Sequence, residues 1–238
     1  QSVKTSNIDH EMLSLEEAHK RFPQFKFHDD FKVLYQPDSG LIRASAAVLE
    51  HIKLAEKHGA TIKANTPVES IDIKSDSVEV KTANETYSAG KLVVTAGSWA
   101  KFLLQQTGID LPLTPLRCQL NFMMPDNLDT KYDTNNCPVW IAHVSGLYPE
   151  TIYGLPSHHD SGFKIAFHAG AAVNHPSEIN YTPDTDNVEN LRKFMKEHIP
   201  NVANAPVRES CICLYTMTPD EHFIVDTHPE YSHVAIGA

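Results

Sequence analysis

Apolar residues recur at helical spacing in two parts of this chain. Between residues 44 and 58, Val48, Ile52 and Ala55 lie on one helix face, and Gly59 follows as a left-handed stop. This pattern predicts a helix. The same spacing at positions 188, 191 and 195 predicts a helix that begins near Asp186, and the capping box of Ser14 and Glu17 predicts a short helix after it.

Short runs rich in β-branched residues, separated by polar turns, predict that strands dominate the rest of the chain. These runs are 61–64, 68–73, 77–81, 86–88, 139–144, 152–155, 163–168 and 211–215. Residues 24–41 carry aromatic side chains at alternate positions and predict one hairpin, closed by a turn at 37–40. Residues 111–125, bounded by proline, predict a strand that enters a second sheet, and the polar stretch 126–138 predicts turns.

Residues 91–99 predict a strand, a tight turn and a helix that extends to Gln106. The apolar run from Leu92 to Val94 is typical of a strand that is covered on both faces. Gly97 has no Cβ, so a polar or anionic ligand could approach the amides at the start of the helix. An ordinary strand-to-helix turn explains the same residues, and the turn sequence alone favours that interpretation.

Composition narrows the class of protein. The chain has 238 residues, of which 41% are hydrophobic and 21% charged, and this excludes a disordered or collagen-like chain. The formal charge of −10 argues against nucleic acid or an anionic membrane as the main partner and favours a small-molecule site. No apolar run approaches the roughly 20 residues of a spanning helix, and the first ten residues lack the features of a secretory signal.

The motifs of common metal, nucleotide and hydrolase sites are missing from the sequence. The four cysteines lack CxxC spacing, which predicts no metal site and a reduced, cytoplasmic chain. Residues 158–160 (HHD) predict a solvated turn, because adjacent side chains point in different directions. No two glycines are two residues apart, so the chain contains neither GxGxxG nor a P-loop. It also lacks GxSxG and HExxH.

Three polar residues on predicted strands could carry chemistry. Lys164 and His168 share parity and therefore one face of the strand 163–168, and Tyr153 lies on the preceding strand. A cationic side chain beside a redox cofactor would stabilise negative charge on reduced oxygen. Lone Lys and His residues on strands are more often simply solvent-facing, so the residues alone leave both interpretations open.

Residues 213–226 form the run C-x-Y-T-x-T-x-D-E-H-F-I-x-D, which closely resembles the C-terminal signature of the monomeric sarcosine oxidase family. Segments 39–43, 82–84, 91–99, 153–157 and 162–164 resemble the same family in order and spacing, so the resemblance covers essentially the whole chain. It implies an α+β fold: a mixed β-sheet substrate domain with flanking helices, plus part of a Rossmann-like FAD-binding domain. Residues 1–40 and 111–215 would belong to the substrate domain, and residues 41–110 and 216–238 to the FAD-binding domain.

The resemblance also implies roles for individual residues, position by position. Cys213 matches the cysteine that bonds covalently to the flavin 8α-methyl group, and Lys164 matches the lysine that activates O2. Substrate-pocket roles are implied for Tyr153, His168 and Tyr215, with Thr216 beside them. Contacts with FAD are implied for Val68, Ala96, Gly97 and Trp99.

The implied activity is oxidation of a secondary amino acid by O2, with FAD as cofactor, in a monomeric enzyme. Sarcosine would give glycine, formaldehyde and H2O2. Pipecolate oxidase and N-methyltryptophan oxidase share nearly every motif quoted above, so the preferred amine stays open. A non-catalytic binding module is the alternative from a different class.

Some features of the family pattern are missing or different. The family's GxGxxG segment and substrate-facing arginine would lie before Gln1, and its segment GFSGHGFK would begin just after Ala238. The chain is therefore expected to be an excised piece that binds FAD weakly or not at all and shows no turnover. Met217 replaces a common Asn or Lys. Cys211 adds a second thiol on the same strand face, so the attachment assignment depends on the C-x-Y-T match.

Overall fold

The computed structural model describes residues 5–124, 130–144 and 151–238. The chain divides into two compact units. The first unit comprises Gln1–Ile42, Cys118–Gly170 and Tyr181–Cys213, and the second comprises Arg43–Arg117, Ala171–Asn180 and Leu214–Ala238. The assignment of substrate and FAD-binding roles to segments of the chain stays a prediction.

Strands outnumber helices in the described residues. The helices are α1 (Leu15–Arg21), α2 (Ala44–Lys57), α3 (Ala100–Gln105) and α4 (Thr185–His198). The strands are β1 (Glu11–Leu13), β2 (Val33–Tyr35), β3 (Val68–Ile73), β4 (Val78–Thr82), β5 (Thr86–Ala89), β6 (Leu92–Val94), β7 (Thr114–Met123), β8 (Trp140–Ala142), β9 (Ile152–Leu155), β10 (Phe163–Phe167), β11 (Ala171–Ala172), β12 (Val207–Met217), β13 (Val225–Thr227) and β14 (Val234–Gly237).

The sheet of the first unit has strands β8, β9, β10 and β7 in this order, and β12 also pairs with β7. The pairs β8–β9, β9–β10 and β10–β7 are antiparallel. These strands confirm the runs predicted at 111–125, 139–144, 152–155, 163–168 and 211–215, with different ends for all but 152–155. The predicted turn region 126–138 is described only from residue 130, where a 3-10 turn spans Thr130–Tyr132.

Helix α4 supplies the hydrophobic face that completes the core of the first unit. Its N-cap is Asp184, whose carboxylate accepts the Asp186 amide at 2.9 Å, as expected for a helix that begins near Asp186. Its buried residues recur at helical spacing. The core consists of Met123, Tyr132, Cys137, Val144, Ile152, Phe163, Ile165, Leu191, Phe194, Met195, Ile199, Val202, Ala203 and Ala205.

The hairpin predicted for residues 24–41 is wrong. Only β2 is a strand in this stretch, and it pairs antiparallel with β1. Phe25 and Phe31 pack instead against the core of the first unit, Phe25 with its ring 5.8 Å from that of Trp140. The aromatic alternation therefore reflects core contacts made by irregular chain.

The capping box predicted at the start of α1 is half formed. The Ser14 hydroxyl accepts the Glu17 amide at 3.2 Å, as expected. The Glu17 carboxylate accepts a hydrogen bond from Arg21 Nε at 2.6 Å, and Arg21 also binds Glu11 through two hydrogen bonds. The Glu17 carboxylate, which was expected to accept the Ser14 amide, thus binds the Arg21 guanidinium one turn further along the helix.

Two small sheets and two helices make up most of the second unit. Strands β3, β4 and β5 form an antiparallel sheet, and β6 pairs parallel with β14, which pairs antiparallel with β13. Helix α2 ends as predicted, with Gly59 at a φ of 92°. The core consists of Ile71, Val78, Val94, Ala100, Leu104, Leu113, Val234 and Ile236. The α+β fold class is confirmed.

Two expectations for the second unit are wrong. Residues 61–64 form no strand; they lead into a turn in which Asn65 has a φ of 52°, a left-handed conformation that interrupts extended chain. Strand β6 is not covered on both faces within the described chain, because Val93 is 64% exposed while Val94 is buried. The core of this unit lies on only one side of β6.

None of the helices in the described residues is long and apolar enough to cross a membrane. The same part of the chain holds no group of three or more His, Cys, Asp or Glu residues that could bind a metal ion. Residues 159–161 form a 3-10 turn, as expected for a turn at this position. All four cysteines are free thiols, with Cys118 and Cys137 buried.

Candidate functional site

One face of the sheet in the first unit collects three of the predicted site residues. Lys164 lies on β10 and His168 directly follows this strand, and Tyr153 on β9 lies opposite Ala166, which shares their face. Lys164 Nζ lies over the Tyr153 ring, 5.3 Å from the ring centroid. The rings of Tyr153 and His168 meet edge to face with their centroids 5.8 Å apart. The prediction that Lys164 and His168 share a face is therefore confirmed.

The two thiols of β12 lie on this same face. On the opposite face, the Ser210 hydroxyl donates to Asn121 Oδ1 at 2.7 Å, and Asn121 Nδ2 donates to Asn187 of α4 at 3.1 Å. Because side chains alternate along a strand, Cys211 and Cys213 point away from α4. The charge of Lys164 interacts with both sulfur atoms. We refer to Tyr153, Lys164, His168, Cys211 and Cys213 as the open face of the first unit.

Burial and charge set the electrostatics of the open face. Burial lowers the pKa of Lys164 from its usual value of 10.5, and the neighbouring thiols partly oppose this shift. Burial raises the pKa of Cys213, and the Lys164 ammonium opposes that rise by favouring the thiolate. The ammonium and the Cys213 sulfur are thus close enough for each to affect the other's ionisation.

The pKa of the Cys211 thiol is raised first by burial and then by a neighbouring carboxylate. Cys211 Sγ donates a hydrogen bond to Glu209 Oε1 at 3.2 Å. Glu209, Cys211 and Cys213 have the same parity on β12 and so share a face of this strand. Sequence reasoning missed Glu209, although its i, i+2 spacing from Cys211 in a strand is a signal that could have identified it.

The remaining predicted site residues belong to the second unit. The hydroxyl of buried Ser98 lies 2.9 Å from Thr216 Oγ1 and donates to the Tyr215 carbonyl at 3.4 Å. These contacts join the turn after β6 to the end of β12. Trp99 is 43% exposed. Sequence reasoning named the turn without assigning a role to Ser98, whose hydroxyl makes both contacts.

Gly97 and Val68 complete the predicted set. Gly97 has a φ of 52°, and a Cβ at this position would point into open space. One amide of this turn already has a partner within the turn: the Trp99 N–H donates to the Ala96 carbonyl at 3.1 Å. Val68 is 37% exposed and lies at an irregularity in the pairing of β3 with β4, in a different sheet from β6.

The residues present fit a flavin cofactor at two places. On the open face, a partly exposed thiol beside an ammonium group provides a nucleophile and a positive charge. In the turn after β6, the open space at Gly97 allows a ligand to approach the backbone. A cavity of about 630 Å³ elsewhere in the second unit, near β13 and β14, is lined by none of these residues.

Comparison with known proteins gives the family. A family described as FAD dependent oxidoreductase matches residues 1–238. The chain is 35% identical over 242 residues to monomeric sarcosine oxidase of Bacillus sp. (strain NS-129), covering 100% of this chain and 61% of that protein. It is 33% identical over 244 residues to the human peroxisomal sarcosine oxidase, covering 100% of this chain and 60% of that protein.

An N-methyl-L-tryptophan oxidase of Yersinia pestis (strain Pestoides F) is 31% identical over 242 residues, covering 99% of this chain and 61% of that protein. The chain thus spans about three fifths of the length of these curated relatives.

Solved structures share the fold at lower identity. The open form of NikD, an amino acid oxidase of nikkomycin biosynthesis, superposes with a TM-score of 0.84 at 20% identity, covering 100% of this chain and 62% of that one. L-proline dehydrogenase from P. horikoshii gives a TM-score of 0.81 at 18% identity, covering 99% of this chain and 60% of that one. With its entire length matched by the family profile, the chain belongs to the FAD dependent oxidoreductase family.

Proposed function

We propose that this chain is part of an FAD-dependent oxidase that demethylates sarcosine or another N-methyl amino acid with O2. The observation that carries the proposal is the presence of the Cys213 thiol and the Lys164 ammonium on the same open face, close enough to affect each other's ionisation. The 35% identity to a sarcosine oxidase supports this reaction over other reactions of the family.

In this proposal Cys213 holds the cofactor covalently. Its S–H bond and one C–H bond of the flavin 8α-methyl group are replaced by one S–C bond. Two electrons and two protons are released, and O2, the oxidant of the proposed reaction, takes them up as H2O2. The neighbouring Lys164 favours the thiolate, which is the nucleophilic form of cysteine.

Other residues of the chain bind and orient the substrate or the cofactor in this proposal. FAD, when bound, would supply the redox chemistry of amine oxidation, with O2 as the final acceptor. The Lys164 ammonium stabilises the negative charge that develops on reduced oxygen. Tyr153 and His168 are substrate-contacting residues in this proposal, and the same role is proposed for Tyr215 and Thr216. Val68, Ala96, Gly97 and Trp99 contact the cofactor.

The test of covalent attachment is acid extraction of the flavin from the complete gene product that carries this chain. We expect Cys213→Ser to leave all flavin extractable by denaturing acid. The matched control, Cys211→Ser, keeps the flavin bound to the protein. If the flavin of the Cys213→Ser variant still resists extraction, the attachment proposal is wrong.

The preferred amine is tested by incubating the complete gene product with sarcosine, pipecolate or N-methyltryptophan under the same conditions and measuring the H2O2 formed. We expect sarcosine to give the highest kcat/KM. Oxidation of N-methyltryptophan is the second candidate, because an N-methyl-L-tryptophan oxidase is 31% identical to the chain. Absence of peroxide with all three amines would support a non-catalytic module. We also propose that the complete enzyme is monomeric and cytoplasmic.

A further inference from the structure

The open face carries two thiols, and covalent attachment requires one of them. Cys211 and Cys213 are both partly exposed, and they are separated by one residue on β12. The charge of Lys164 interacts with both sulfur atoms. Proximity to the ammonium therefore does not by itself decide which sulfur becomes the nucleophile.

The two thiols differ in their hydrogen bonding. Cys211 Sγ donates to Glu209 Oε1 at 3.2 Å, so the carboxylate is positioned to hold the thiol proton. Loss of this proton would place a thiolate against a carboxylate, with no hydrogen atom left between them. Cys213, the next residue on this face, has Lys164 as the charged group that acts on it.

We propose that Glu209 is a positioning residue that selects the attachment site, because its carboxylate keeps Cys211 in the thiol form and leaves Cys213 as the nucleophile. This inference rests on the proposed function, since it assumes that FAD is attached at Cys213. Among the described residues, Glu209, Cys213 and Lys164 act on the ionisation of Cys211, and Lys164 acts on that of Cys213. The negative charge of Glu209 opposes ionisation of Cys211, and the positive charge of Lys164 favours ionisation of both thiols.

The first test uses iodoacetamide on the chain without flavin. In this reaction the thiolate sulfur displaces iodide, one S–C bond replaces one C–I bond, and the thiol proton goes to the solvent. The variants Cys213→Ser and Cys211→Ser isolate the rate of each remaining thiol. Trypsin cleavage after Arg208 separates both positions from buried Cys118 and Cys137, so mass spectrometry of this peptide reports the rates.

We expect Glu209→Gln to raise the alkylation rate of Cys211 at pH 8 by about fivefold, since an adjacent charge at the surface changes ionisation by somewhat less than one pKa unit. The pH midpoint of that rate shifts downwards. Glu209→Asp keeps a carboxylate and restores the slow rate. The rate of Cys213 changes by less than about twofold, and the distant control Glu79→Gln changes neither rate.

Two outcomes would overturn the inference. Glu209→Gln could leave the rate and the pH midpoint of Cys211 unchanged, or it could accelerate both thiols equally. A circular dichroism spectrum that matches the parent chain excludes unfolding as the cause of faster alkylation. The pH midpoint distinguishes a charge effect from a change in access, because greater access raises the rate at every pH without moving the midpoint.

The second test maps flavin peptides in the complete gene product. We expect flavin only at Cys213 in the parent protein and a measurable fraction at Cys211 in the Glu209→Gln variant. Flavin that stays only at Cys213 in the variant would overturn the selective role of Glu209. Flavin on neither cysteine of the parent protein would overturn the attachment proposal itself, whatever the alkylation rates show.

Discussion

Lys164 Nζ lies 5.3 Å from the centroid of the Tyr153 ring, and the same ring contacts His168 with its centroid 5.8 Å away. A cation over an aromatic face is stabilised by the ring quadrupole, by about 0.5–1 kcal/mol at exposed sites and more where water is excluded. Tyr153 therefore helps to keep Lys164 protonated, against the burial that lowers its pKa. The ring also limits where the ammonium group can lie.

The first prediction concerns the charge of Lys164. In the complete gene product, Lys164→Met removes the positive charge while keeping most of the chain length of the side chain. We expect the rate of reaction with O2 to fall by roughly 10²–10³-fold, the range for loss of one preorganised electrostatic group. Lys164→Arg retains a charge and is the matched control. An unchanged oxygen rate in Lys164→Met would contradict the role proposed for this residue.

The pH dependence of the oxygen reaction gives the second prediction. Because only the protonated amine carries charge, the rate should fall as the pH rises through the pKa of Lys164, which lies below 10.5. Tyr153→Leu removes the ring and should move this fall to lower pH. Tyr153→Phe keeps the ring and should leave its position unchanged. Equal profiles for the Leu and Phe variants would show that the ring has no effect on Lys164.

Local sequence patterns were enough to predict several elements. Strand β9 has the predicted ends, and α2 ends at the residue before the predicted His58, because periodicity and capping are properties of neighbouring residues. The alternation of Lys164 and His168 on one face follows from the same kind of local rule. The aromatic residues at 25 and 31 misled the prediction, because their spacing reflects contacts with a core built from distant parts of the chain.

The proximity of Lys164 to Cys213 is different in kind. It depends on β7 lying between β10 and β12, an order of strands that no local pattern encodes. The resemblance of the run 213–226 and of segment 162–164 to one family implies roles beside the flavin for both residues, which local pattern alone does not. The i, i+2 spacing places Glu209 and Cys211 on one face of a strand, but the hydrogen bond between them also depends on their side-chain rotamers, which no local pattern gives.

A third prediction tests the close packing of β9. A Cβ at Gly154 would lie 2.4 Å from the side chain of Trp140, which faces it across the pair β8–β9. Gly154→Ala should therefore lower the free energy of unfolding by about 1–3 kcal/mol, the usual cost of overpacking. Gly90→Ala is the matched control, because a Cβ there meets no atom within 4 Å. Urea denaturation of the chain measures both changes, and equal midpoints would contradict the packing argument.

A fourth prediction concerns the hydroxyl that joins the turn after β6 to β12. Ser98 is 5% exposed, and its hydroxyl lies 2.9 Å from that of Thr216. Ser98→Ala removes this contact and should destabilise the chain by about 0.5–1.5 kcal/mol, the net contribution of one hydrogen bond, because the Thr216 hydroxyl that remains is only partly buried. Ser88→Ala, an exposed position in β5, should change stability by less than about 0.5 kcal/mol. If the two variants have the same urea midpoint, the prediction is refuted.

A fifth prediction is that a buried histidine makes the chain acid-sensitive. His198 is 4% exposed, its Nδ1 lies 3.2 Å from the Lys26 carbonyl, and burial is the main cause that lowers its pKa. Its neighbours include the His28 ring, which disfavours the charged form, and Glu197, whose carboxylate lies 3.8 Å from Nε2 and favours it. The balance of these effects leaves the neutral imidazole preferred in the folded chain.

The sign of the pH effect follows from proton binding. The unfolded chain takes up a proton at His198 as the pH falls through about 6.5, while the folded chain does so only at lower pH. The free energy of unfolding should therefore decrease from pH 7.5 to pH 5.5. In His198→Gln the decrease should be smaller, and in the exposed control His51→Gln it should equal that of the parent chain. Urea midpoints at the two pH values test this, and an undiminished decrease in His198→Gln would assign the acid sensitivity to other groups.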